Sequence, residues 1–90
     1  ESIVQKKDIV KNSIFNYSIK IADFYYKDSA KNMTDRIINE TNIKNPIIKT
    51  ISNTKYRVLI GPFNDIKKLE ESFNDIKSLN FENIEILKDV

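Results

Sequence analysis

A shift of 39 residues lays this chain over itself. Tyr17 falls on Tyr56, Ile19 on Val58, Ile21 on Ile60 and Phe24 on Phe63; farther on, Ala30 falls on Leu69 and Ile37 on Ile76. Two Tyr and two Phe at fixed distances make chance the weaker explanation. The repeated unit reads as a strand, a turn carrying Phe, and a helix. Its second copy is the better punctuated. Tyr56, Val58 and Ile60 share one face of a strand, and Arg57 and Leu59 the other. Gly61-Pro62, which holds the only Gly of the chain, is expected to stop that strand, because Pro gives no N–H to a ladder and Gly permits a sharp turn.

The first copy alternates as well, with Tyr17, Ile19 and Ile21 on one face and Ser18, Lys20 and Ala22 on the other. Asp28 or Ser29 is suited to cap the helix that follows, whose apolar stripe is Ala30, Met33, Ile37 and Ile38. Asn42 is expected to close it in the left-handed conformation, with Pro46 beyond. Residues 47–52 are β-branched and predict a strand. Its facing stays open, since Ile47, Ile48 and Ile51 do not alternate. Asn53-Thr54 is the expected hairpin turn. Asn64 or Asp65 caps a second helix with Ile66, Leu69, Phe73 and Ile76 inside, and Asn80 takes the closing role usual for Gly. Residues 83–88 predict a last strand, with Ile84 and Ile86 facing one way and Glu85 and Leu87 the other. The order β-α-β-β-α-β predicts an α+β fold. It is the split βαβ, ferredoxin- or RNP-like two-layer sandwich, a four-stranded antiparallel sheet with both helices on one face.

Composition narrows the chemistry. Ninety residues make one domain, and residues 16–90 are assigned to it. Residues 1–15 show no clean period and read as a linker or N-terminal tail. With no Cys and no His, disulfides and thiolate metal sites are impossible, and the commonest general base is missing. No acid–base pair is recognisable, so neither catalysis nor a cofactor is expected. A net charge of +2 is too small to argue for nucleic acid. No apolar run approaches the ~18 residues of a membrane span. A chain that begins with Glu1 reads as a piece of a longer protein.

Tyr17-x-Ile19-x-Ile21-x-x-Phe24, a helix with Ala30 and Ile37 seven apart, and Tyr56-Arg57-Val58 with Gly61-Pro62-Phe63 before a second helix resemble the SPOR domain, the sporulation-related repeat. The resemblance covers about residues 16–88 and is most specific at residues 56–63. It departs from the family pattern at Lys20, where Gln is frequent, at Ala22-Asp23, where Gly-Ser is usual, and in having no Trp. The resemblance implies a non-catalytic module of a periplasmic or other bacterial envelope protein. Such a module is a monomer that binds peptidoglycan glycan strands stripped of stem peptides, as found at division septa. Any cell-wall enzyme would be the rest of the parent protein.

Glycan strands without stem peptides carry free lactyl carboxylates. Arg and Lys on an open sheet face suit that chemistry. By parity the open face carries Ser18, Lys20, Ala22, Arg57, Leu59, Glu85 and Leu87, with Lys20 and Arg57 neighbours on the two central strands. Tyr25 and Tyr26, at the end of the first strand, offer flat contacts to sugar rings. Together with Asp23, which also reads as a turn residue beside the cap Asp65, the expected glycan-binding set is Ser18, Lys20, Ala22, Asp23, Tyr25, Tyr26, Arg57 and Leu59. A solvated sheet face is the bland reading of the same charges. The alternatives are a protein- or RNA-binding module on that face. RNA needs stacking aromatics on the exposed central positions, where this sequence has Ser, Lys, Ala, Arg and Leu, so no nucleic acid is expected.

Overall fold

The computed structural model describes residues 16–88. In chain order the elements are β1 (Tyr17–Phe24), α1 (Lys27–Glu40), β2 (Ile47–Ser52), β3 (Lys55–Phe63), α2 (Ile66–Lys77) and β4 (Glu85–Lys88), the expected βαββαβ. The tail assigned to residues 1–15 lies outside the described residues. The strands form one sheet in the order β2-β3-β1-β4, and every pairing is antiparallel. The two strands of the repeat, β1 and β3, are thus the central pair.

One cluster holds the molecule together. Ile19 and Ile21 of β1 and Val58 and Ile60 of β3 meet Ala30 and Ile37 of α1 and Leu69 and Ile76 of α2. Both helices therefore cover the same sheet face. Ile19, Ile37, Ile60 and Ile76 are fully buried, and each such side chain contributes about 1.5–3 kcal/mol. Ile66, expected in the stripe of α2, is instead 58% exposed. It is the first residue of the helix, and Leu69 begins the buried row.

The helix ends show which local signals won. Asp65 caps α2 as expected, its Oδ1 accepting from the Lys67 N–H at 2.9 Å. Asn80 follows α2 in the left-handed region at φ 59°. At α1 neither Asp28 nor Ser29 is the cap. A two-residue bend leads from β1 straight into the helix, Tyr26 takes the N-cap position without a side-chain bond, and Asp28 sits in the first turn, where its charge suits the helix dipole. Nor does Asn42 close the helix. Thr41 does so in an extended conformation: its N–H and its hydroxyl both donate to the Ile37 carbonyl, at 3.0 and 2.7 Å. The same hydroxyl accepts from the Ile43 N–H at 3.0 Å. Lys44 folds back and donates to the carbonyls of Ile38 and Thr41 at 2.8 and 3.1 Å.

Gly61-Pro62 does not stop β3, which runs on to Phe63 across a cis peptide bond. The register explains why this is tolerated. β2 pairs with β3 only as far as Leu59, so Pro62 lies where β3 has a neighbour on one side alone and its missing N–H breaks no ladder. Between the pairs Tyr17–Phe63 and Ile19–Ile60 the β3 strand carries one extra residue, a bulge at Gly61-Pro62. Gly61 has φ +131°, and a Cβ there would lie 3.0 Å from Ser18 Oγ and 3.2 Å from Ser18 Cα. A second bulge sits on β1, between the pairs Lys20–Leu59 and Ala22–Val58.

Candidate functional site

The β1 bulge decides the face away from the helices. Through Lys20 the alternation holds. One extra residue then puts Ala22 opposite Val58 and against the core, and Asp23 opposite Arg57. Ala22, expected on the open face, is therefore on the helix side. Asp23 is not a turn residue; it belongs to β1 and stands in the open face. Two rows cross this face. Asp23, Arg57 and Lys49 lie side by side on β1, β3 and β2, and Glu85, Lys20, Leu59 and Ile47 on β4, β1, β3 and β2.

Arg57 and Asp23 form a bidentate pair, with Nε donating to Oδ1 at 2.7 Å and Nη2 donating to Oδ2 at 3.1 Å. Lys20 Nζ lies 3.4 Å from Asp23 Oδ2 and 3.9 Å from Glu85 Oε1. The Arg57 hydrogen bonds hold the Asp23 carboxyl below its ordinary value of 3.8, against a smaller opposing effect of burial. In turn Asp23 raises the already high pKa of Arg57. Lys20 and Arg57 are thus gathered at mid-sheet around a shared carboxylate. A cleft of about 350 Å³ opens beside Lys20 and Asp23, walled by Phe81, Glu82 and Asn83 of the segment before β4.

The rest of the expected set divides. Ser18 is 2% exposed and Leu59 6%, so neither offers surface to a ligand. Ser18 is enclosed by its partner Leu87 and the approach of Gly61. Leu59 sits between Lys20 and Ile47. Tyr25 and Tyr26 are 61% and 66% exposed, and their rings meet edge to face at 5.0 Å. Lys49 is the residue that reading the sequence misses. It is exposed next to Arg57, but the broken alternation of Ile47, Ile48 and Ile51 hides which way β2 faces. Among the described residues no group of three or more His, Cys, Asp or Glu is placed to hold a metal, and no helix is long and apolar enough to cross a membrane. A hollow of about 880 Å³ lies apart from this face, between Asn42–Asn45, the end of β3 and α2.

The family model described as SPOR domain matches residues 14–85. The chain belongs to the SPOR domain family. SPOR domains are peptidoglycan-binding modules associated with cell division and the bacterial envelope, so the cell wall is the partner of this SPOR domain and binding, not catalysis, its role. No curated protein and no solved structure matches the chain.

Proposed function

We propose that this SPOR domain recognises glycan strands from which the stem peptides have been removed, and so directs its parent protein to the division septum in the periplasm. The observation that carries the reading is the pair of cations, Arg57 and Lys20, 2.7 and 3.4 Å from one carboxylate at the centre of a face the helices leave open. Stem-peptide removal exposes a carboxylate on every second sugar, and a guanidinium that keeps part of its surface open is the side chain best matched to it. The exposed edge-to-face pair of Tyr25 and Tyr26, two residues from Asp23, supplies aromatic surface for the sugar rings. Shallow contacts of this kind gain affinity from several sugars of one strand engaged at once. An RNA reading finds no platform: Tyr17 and Tyr56 pack against the helix-side core.

Pelleting the domain with intact sacculi, amidase-treated sacculi and single-stranded RNA tests the proposal. Stronger pelleting with the treated wall is expected. Equal pelleting with both walls removes the specificity, and tighter capture by RNA removes the reading.

A further inference from the structure

A guanidinium has five N–H donors in a rigid fork. Asp23 takes two of them, on Nε and Nη2, and therefore holds Arg57 by its side. Three donors remain, on Nη1 and Nη2, along the edge turned away from Asp23. Among the described residues no acceptor engages them. The strand on the flank of Arg57 opposite β1 is β2, and the residue facing Arg57 there is Lys49. Lys49 is exposed and, among the described residues, belongs to no ion pair. Lys20 is differently placed, its ammonium already within 3.4 Å of Asp23 and 3.9 Å of Glu85.

We infer that Asp23 is a positioning residue: it fixes Arg57 side-on, so that the free end of the guanidinium and the Lys49 ammonium together seat one carboxylate of the ligand. For the identity of that carboxylate the inference rests on the glycan reading; for its place it rests on the geometry. Two parallel N–H···O bonds from the end of the fork match a carboxylate. A side chain already held in one orientation loses less freedom when the ligand arrives. Lys20 offsets part of the charge of Asp23 and Glu85, so that with Arg57 and Lys49 the cluster keeps a net positive charge for an anion. The rival arrangement has Asp23 as an internal competitor that the ligand must displace. The two differ in sign, since removing the Asp23 charge weakens binding in the first and tightens it in the second.

Isotope-labelled protein titrated with N-acetylmuramic acid, which bears a lactyl carboxylate, and with uncharged N-acetylglucosamine separates them by NMR. The acid is expected to shift Arg57 Nη and Lys49 Nζ while Arg57 Nε stays in place, and the neutral sugar to shift none. Lys49→Ala and Asp23→Asn each weaken binding about two- to fivefold, the range of one exposed charge contact. Asp23→Glu recovers part of the loss, and Lys20→Ala costs less than Lys49→Ala. Tighter binding by Asp23→Asn, movement of Arg57 Nε, or no response at Lys49 overturns the inference. Lys49→Ala alters an exposed site on an edge strand, so its result stands even where Asp23→Asn unfolds. Should the wild-type domain ignore amidase-treated wall yet keep these shifts, the glycan reading falls and the carboxylate seat remains.

Discussion

The Asp23–Arg57 pair joins two charge-assisted hydrogen bonds between side chains that are each about a fifth exposed. Partial exposure screens the attraction, so a double-mutant cycle with Asp23→Asn and Arg57→Gln should give a coupling of about 1 kcal/mol in chemical denaturation. The pair also sets a pH dependence. Because folding lowers the Asp23 pKa, its contribution is complete above the ordinary carboxylate value and is lost as pH falls through the folded one. The deficit of Asp23→Asn relative to wild type should therefore be full near pH 7 and shrink as pH falls below the ordinary carboxylate value of 3.8. Gly61 is the other residue with a sharp expectation. Its φ of +131° strains any side chain and the 3.0 Å approach of Ser18 Oγ crowds one, so Gly61→Ala should cost about 1–3 kcal/mol, read as a lower denaturation midpoint.

Helix α1 is held at its C-terminal end by one side chain in two roles. The Thr41 hydroxyl donates to the Ile37 carbonyl and accepts from the Ile43 N–H, and Thr41 is buried. Thr41→Val keeps the shape and removes both bonds, with an expected loss of about 1–3 kcal/mol in the same assay. Asn80→Gly should by contrast be neutral or mildly stabilising, since Asn already tolerates φ 59° only in part. These ends also show why legibility was uneven. Asp65 and Asn80 act within two or three residues of themselves, and so they were readable from the sequence. Asn42 was a plausible cap, but its N–H is held by Asp75 Oδ2 at 3.1 Å, a partner 33 residues away. The strands behave alike. Tyr17–Phe24 alternates cleanly on paper because Ile21 and Ala22 fit either face, so nothing in their chemistry announces the bulge that turns Asp23 outward. In β2 the broken alternation was itself a sign of the register shift between Thr50 and Ser52, yet the register is needed to see that Lys49 stands beside Arg57.

For the molecule as a whole, the repeat and the two-face division of the sheet were legible, and they are what place Arg57 on the face away from the helices. Ser18 and Leu59 were misplaced as surface because parity reports a face and says nothing of what closes over it. Binding through exposed charges predicts that capture by amidase-treated wall falls steeply as ionic strength rises toward about 1 M, where the screening length is about 3 Å. Arg57→Ala should lose most of that capture while lowering the melting temperature by no more than about 4–8 °C, the shift that about 1 kcal/mol makes in a domain of this size; both are read by pelleting and thermal denaturation of the same sample. The stagger of the sheet has one more consequence. β4 reaches only as far along β1 as Lys20, and β2 only as far along β3 as Leu59. Among the described residues, two short lengths of central strand, residues 21–24 and 60–63, therefore have no strand paired along one edge, at opposite corners. Each of those lengths contains one of the two bulges shared by the central pair. An interrupted edge, one with a proline and the other with a charged side chain, is a poor template for a strand from another chain. The irregularities that shape the charged face thus also make these two corners poor sites for edge-to-edge pairing. Replacing Gly61-Pro62 with residues that keep regular pairing should be visible first as lost solubility during refolding.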